Sequence, residues 1–298
     1  MSEPTRPIVR WLGAKWRLAP WILSQVPPHE LYVEPYGGSA SVLMRKPRSA
    51  IEVLGDMDDE LLCLYRVMRD PDLSARLRAA CELTLYSDAE FRLAMVRLGP
   101  DVDPVERARR MVVRHAMQVS PDVRGETQGT GYRRYTAQVR RVASVDWTSY
   151  PDAIPAIHNR LRGVVIERGP AVETMRRHDR PEALHYVDPP YVHATRSEAR
   201  KGYAHELDDA DHAELLDCLL SLRGMVVLSG YACPLYDEAL AGWQRVTKEV
   251  TDHARQWRKE VLWLSPAAVR AADTDMIVRP RHPTGRKRAV DAAQVPLF

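Results

Sequence analysis

Leu31-Tyr32-Val33-Glu34-Pro35-Tyr36-Gly37-Gly38-Ser39-Ala40-Ser41-Val42-Leu43-Met44 is the stretch on which the reading of the fold turns. Leu31 to Val33 is short, apolar and β-prone, and it runs into the pair Gly37-Gly38; Ser39 to Met44 then reads as the first turns of a helix. Ala50-Ile51-Glu52-Val53-Leu54-Gly55-Asp56 follows as a second strand ending on an acid, and Leu61, Leu62, Leu64, Tyr65 and Met68 mark a helix after it. Strand, glycine turn, helix, strand is the opening of an α/β sheet with parallel strands. Upstream, the amphipathic run Arg17 to Gln25 is closed by Pro27-Pro28.

The same texture returns in the second half, at Gly163-Val164-Val165-Ile166, at Leu184-His185-Tyr186-Val187 ahead of Asp188-Pro189-Pro190-Tyr191, and at Gly224-Met225-Val226-Val227-Leu228. Between them, from about Pro71 to Pro155, helical patterns dominate without β-α alternation. The expected organisation is one α/β domain formed by residues 1–70 and 156–278, a largely helical insert at 71–155, and a polar tail at 279–298.

The chain has 298 residues, 45% of them hydrophobic and 28% charged, which suits a folded core and excludes a disordered or fibrous protein. Lys plus Arg is 43 and Asp plus Glu 40, so the net charge of +3 says little about partners until its distribution is read. Residues 104 to 141 hold nine arginines (107, 109, 110, 114, 124, 133, 134, 140 and 141) against three acids. Cys63, Cys81, Cys218 and Cys233 have neither a disulfide framework nor a CxxC spacing, and they read as reduced thiols. With no apolar signal core in MSEPTRPIVR and only short apolar runs, a cytoplasmic protein without membrane contact is expected, and no metal site is.

A glycine turn after a parallel strand lets backbone approach a ligand, and the helix beyond it favours negative groups. Asp56 ends the next strand, where a carboxylate can accept hydrogen bonds from a ribose diol. Both features suit a nucleoside-containing cofactor, although Tyr36-Gly37-Gly38-Ser39-Ala40 matches neither the GxGxxG fingerprint nor a phosphate loop. Alone, these residues fit a structural turn and a helix cap equally well. Asp188-Pro189-Pro190-Tyr191 is more telling. An exocyclic amine of a nucleobase is a poor nucleophile, and its attack on an electrophilic methyl needs acceptors for both amino hydrogens. The Asp188 carboxylate and the Pro189 carbonyl of a stiff turn can supply them, with no proline N–H to compete, and Tyr191 offers a face on which an extruded base can stack.

Four strings in one order carry a family resemblance: Trp11-Leu12-Gly13-Ala14-Lys15, Glu34-Pro35-Tyr36-Gly37-Gly38-Ser39-Ala40, Gly55-Asp56-Met57-Asp58, and Tyr186-Val187-Asp188-Pro189-Pro190-Tyr191. The chain resembles the D12 class (Dam-like, α group) of adenine-N6 DNA methyltransferases over residues 8 to about 265. Asp211-His212 through Leu215, Leu228-Ser229-Gly230-Tyr231 and Glu260-Val261-Leu262-Trp263 also look like the family. The resemblance implies a Rossmann-like methyltransferase sheet with an inserted recognition domain, S-adenosylmethionine as cofactor, and methyl transfer to a flipped adenine in double-stranded DNA. It places Trp11 and Lys15 at the methionine part of the cofactor, Glu34, Tyr36, Gly37, Gly38 and Ser39 in its cradle, Asp56 at its adenosine part, and Asp188, Pro189, Pro190 and Tyr191 in the catalytic turn, with Asp188 touching the cofactor as well. Three positions depart from the usual pattern: Ala14 and Ala40 stand where glycine is common, and Gly230 where asparagine often follows Ser229. An alanine costs little at negative φ and is strained at positive φ.

The insert would hold DNA by its phosphates and guanine edges, with Arg114, Arg124, Arg133 and Arg134 as the expected contacts and the glycine-rich segment Arg124 to Tyr132 entering a groove. Arginines on a solvated helical face are the plainer alternative. His212 is expected to be structural. In the tail, Gln294-Val295-Pro296-Leu297-Phe298 resembles the peptide by which bacterial DNA enzymes dock to the replicative sliding clamp. N4-cytosine methylation, or a DNA-binding protein of the same fold that has lost catalysis, would leave much of the same sequence pattern.

Overall fold

A computed structural model of the chain describes residues 3–119, 131–134, 142–192, 206–251 and 257–273. Seven strands build one sheet: β1 (Leu31–Glu34), β2 (Ile51–Asp56), β3 (Val165–Arg168), β4 (Ala183–Val187), β5 (Met225–Tyr231), β6 (Gln244–Thr251) and β7 (Trp257–Leu264). Their order is β3-β2-β1-β4-β5-β7-β6. Strands β1 to β5 pair in parallel, with Val33 beside Val53 on one side and His185 on the other, while β7 runs antiparallel to both β5 and β6. Every residue of β1 and β4 is buried, as expected of parallel strands covered on both faces. This is a mixed α/β sheet of the Rossmann-like methyltransferase kind.

The strand direction reverses its lateral progress between β1 and β4, because the chain first moves outward to β2 and β3 and then returns to the opposite side of β1. At such a switch point the loops leaving neighbouring strands part and open a crevice at the carboxyl edge. Glu34 ends β1 and Asp188 follows β4, so both face that crevice from adjacent strands.

Helix starts are set by short side chains where the sequence offers them. Asp58 caps α3 (Asp59–Arg69) by accepting from the Glu60 and Leu61 amides, and Asp70 does the same for α4 (Pro71–Glu82) with Pro71 in the first turn. Among the described residues, five helices lie between β2 and β3 after α3: α4, α5 (Asp88–Met95), α6 (Pro104–Met117), α7 (Ala143–Thr148) and α8 (Tyr150–Leu161). The residue 155/156 divide thus falls inside α8. Leu61, Leu64, Leu77, Val112, Ile154 and Ile157 join these helices and the Tyr32, Leu54 and Tyr186 face of the sheet in one continuous apolar cluster. On the other face Val187, Val226, Leu228 and Trp263 pack with Leu215 and Leu219 of α10 (Asp209–Ser221), which opens with a reciprocal Asp208/Asp211 cap.

The hairpin β6–β7 is an element the pattern reading did not identify as strands. The carboxyl half of β7, Glu260 to Leu264, is buried on both faces and so lacks alternation, and β6 is a polar edge strand.

Candidate active site

Backbone geometry at the glycine turn explains its composition. The Gly37 amide donates to the Gly55 carbonyl at 2.7 Å, and a Cβ on Gly37 would lie 2.8 Å from that same oxygen. Gly38 takes φ +49°, and a Cβ there would meet the Trp11 ring at 2.9 Å. Asp56 then ties the turn to the next element: one carboxylate oxygen accepts from the Gly38 amide at 2.9 Å, the other from the Met57 and Asp58 amides at 2.8 and 3.0 Å. Asp58, not Asp56, caps α3, so Asp56 holds the turn between strand and helix while its carboxylate lines the cleft. Burial holds the Asp56 carboxyl above its ordinary range, against the pull of the backbone amides.

Glu34 is buried, and one oxygen accepts from Tyr32 Oη at 2.8 Å and from the Leu43 amide of α2 (Ser41–Arg45) at 3.0 Å. Burial pushes its carboxyl up to about 8, with the two hydrogen bonds pulling it back. Ala40 precedes α2 at φ 51°, the one non-glycine residue at positive φ among the described residues, whereas Gly13 takes φ 76° and spares Ala14. Of the two departures from glycine, only Ala40 therefore carries strain.

Lys15 crosses the cleft from the first loop. Its Nζ donates to both Asp188 oxygens, at 2.8 and 2.9 Å, and to the Gly13 carbonyl at 2.9 Å, and it lies 3.7 Å from Glu260. Burial raises the Asp188 carboxyl to about 6; Lys15 draws it down and Glu260 pushes it up. Pro189 and Pro190 are buried behind it. Tyr191 donates its hydroxyl to Glu260 Oε1 at 2.6 Å, meets the Tyr231 ring edge-on with centroids 4.6 Å apart, and has the Lys15 ammonium over its ring at 4.9 Å.

The structure brings Trp11, Lys15, Glu34, Tyr36, Gly37, Gly38, Ser39, Asp56 and Asp188 to the wall of one cleft, with Pro190 beside them. Met57 and Tyr186, which belong to the quoted motif strings without an assigned role, line it too, as do Ala171 and Leu207, which no motif marked. Trp11 also stacks on His115 at the end of α6, 5.2 Å between centroids and 23° between planes, and Arg10 donates to the Gln118 carbonyl at 3.1 Å. Burial takes the His115 imidazole down to about 3.

The arginine block divides. Arg109 pairs with Glu106 and Glu90, and Arg110 with Glu106. Arg114 corrects an expectation: it is buried, donating to Glu60 at 2.7 Å and to the Ala94 carbonyl at 3.1 Å, so its guanidinium joins α6 to α3 and α5 instead of facing a duplex. Arg133 is half-buried 3.6 Å from Asp146, and Arg134 is exposed. Arg124, most of its glycine-rich segment, Arg140, Arg141 and the Gln294–Phe298 peptide lie outside the described residues. His212 is buried and bonded to the Tyr236 hydroxyl at 2.9 Å, a packing position in α10.

A crevice at the strand reversal, a glycine turn held by the acid of the next strand, and an Asp-Pro-Pro-Tyr turn beside it come together at the carboxyl edge of one Rossmann-like sheet. The family model for D12 class N6 adenine-specific DNA methyltransferase matches residues 11–254, most of the chain, and the chain belongs to that family. Membership carries adenine-N6 methylation of DNA as the activity and S-adenosylmethionine as the methyl donor in general. No curated protein matches the chain. Among the described residues no helix is long and apolar enough to cross a membrane.

Proposed function

We propose that the chain transfers the methyl of S-adenosylmethionine to N6 of an adenine flipped out of double-stranded DNA, within a recognised site, using the cleft around Lys15 and Asp188. The observation that carries this reading is the convergence of Asp188, at the end of β4, with Glu34 and the Asp56-held glycine turn on one cleft wall. The donor set fits the cofactor: three carboxylates, Asp56, Asp58 and Asp188, and the Glu34 carboxyl line the cleft with one ammonium, Lys15, which suits a ligand bearing cationic groups, a diol and a single carboxylate. When bound, S-adenosylmethionine supplies an electrophilic methyl on a sulfonium.

The residues of the chain do the rest. Asp56 offers oxygen acceptors to the ribose diol, and Glu34 and the Gly37-Gly38 backbone form the wall at the amino-acid end. Asp188 accepts one N6 hydrogen and the Pro189 carbonyl the other, which localises the nitrogen lone pair toward the methyl. Transfer leaves one proton in excess on nitrogen, and a carboxyl lifted to about 6 accepts it more readily than an exposed aspartate would. Tyr191 supports the base by stacking, and Arg133 and Arg134 meet the phosphates.

Asp188→Ala should lower methylation by about 1,000-fold, far beyond the weakening of S-adenosylhomocysteine binding, about tenfold, that follows from losing one wall of its site. Nucleoside mass spectrometry of treated DNA checks the product. N4-methylcytosine, or a variant that keeps its rate, would overturn the reading.

A further inference from the structure

Glu260 opens a string that looks like the family, but it stands outside the matched family segment and outside the cleft lining and has no role assigned from the sequence; its carboxylate nevertheless touches the Asp-Pro-Pro-Tyr turn, at Tyr191, at 2.6 Å. It is 3% exposed on β7, the antiparallel strand, where it pairs in register with Tyr231 of β5. Because β7 runs against the parallel strands, this position near its start lies at their carboxyl edge. A buried carboxylate has to be satisfied, and the partners of Glu260 are unusual ones. Its Oε1 accepts from the Tyr191 hydroxyl at 2.6 Å and from Ser229 Oγ at 3.0 Å, with Lys15 Nζ at 3.7 Å. The Tyr191 hydroxyl thus lies between Glu260, to which it donates, and the Asp188 carboxyl, which it helps hold down, while its ring meets Tyr231 and Lys15.

We propose that Glu260 is a positioning residue of the methyl-transfer site, its buried carboxylate anchored by Ser229 and holding the Tyr191 hydroxyl so that the ring is oriented before the target base arrives. This role of Glu260 rests on the stacking of the target base on Tyr191 proposed above. A ring on a turn can swing about two side-chain torsions; tying its far end to a strand removes that freedom. A hydrogen bond to a charged acceptor is strong enough to do so, and losing it costs about tenfold or more in a step that needs the orientation. The hydroxyl then matters for catalysis without touching the base.

The test is a cycle of Glu260→Ala, Tyr191→Phe and the double variant in the full chain, read as single-turnover methylation of a duplex at saturating cofactor, with S-adenosylhomocysteine affinity measured alongside. Expected are a loss of about tenfold or more in rate for Glu260→Ala, affinity for S-adenosylhomocysteine within about twofold, and no further loss when Tyr191→Phe is added. Glu260→Gln, whose amide oxygen can still accept from Tyr191 and which keeps the side-chain shape should Ala not fold, should recover part of the rate. Additive losses, a Gln variant as slow as Ala, or wild-type rates in both would overturn the role of Glu260. Formation of N6-methyladenine by the unaltered chain reports separately on the underlying function.

Discussion

At the carboxyl edge of the sheet, the carboxylates of Asp56, Asp58 and Asp188 line a cleft with a single ammonium among them, whereas in the helical segment Glu60, Glu90 and Glu106 are covered by Arg97, Arg109, Arg110 and Arg114. Both regions stand out in the sequence, one by its motifs and the other by its arginines. The cleft leaves negative charge in excess, which a cationic ligand can neutralise. Among the described residues these four arginines close on acids of α3, α5 and α6, while Arg134 stays exposed. What distinguishes them is direction: a strand end in a parallel sheet aims its residues into a shared crevice, while a helix turns successive residues by about 100°, so neighbouring arginines point to different places.

The contrast is broken most sharply at Arg114. Arg114→Ala should cost about 2 kcal/mol, because Glu60 keeps Arg97 but loses its shorter ion pair in a largely buried place and the Ala94 carbonyl loses its donor, and should leave the DNA affinity of the folded protein unchanged. Denaturant unfolding paired with a binding titration checks it; weaker DNA binding at full stability would return Arg114 to the interface. Next in size is pH. Asp188 must be ionised to accept an amino hydrogen, and its carboxyl lies near 6, so the protonated fraction grows as pH falls and methylation should drop about tenfold per unit below that point. An acidic limb near 4 would mean that burial does not govern Asp188. Arg134 is exposed and offers the opposite case to Arg114: Arg134→Ala should lower the salt dependence of DNA binding by about one counterion and shift stability by less than about 0.5 kcal/mol. The smallest effect is at Ala40. Ala40→Gly relieves about 1 kcal/mol of left-handed strain against a somewhat smaller loss of chain entropy, so the melting temperature should rise slightly; a fall would show that packing of the methyl outweighs φ.

Much of the fold was legible. Leu31 to Asp56 declared its strand, turn, helix and strand because each element has a distinct local pattern, and the order of the four motifs pointed to the cleft that collects their residues. The hairpin β6–β7 was not legible as structure, since a strand buried on both faces has no period, and Glu260 could not be linked to Tyr191 because 69 residues separate them. The arginine block misled at Arg114 because sequence counts charges without showing which face of a helix they occupy.

The sequence by itself determined the parallel α/β order, the glycines where backbone approaches backbone, and the Asp-Pro-Pro-Tyr turn after a strand, since these follow from local geometry and side-chain chemistry. Only the tertiary structure decided that Ala40 and not Ala14 sits at positive φ, that Arg114 is internal, and that Glu260 reaches Tyr191 of that turn. Each of those depends on which distant segment packs alongside, and that is fixed by the sheet's strand order and not by any stretch of chain.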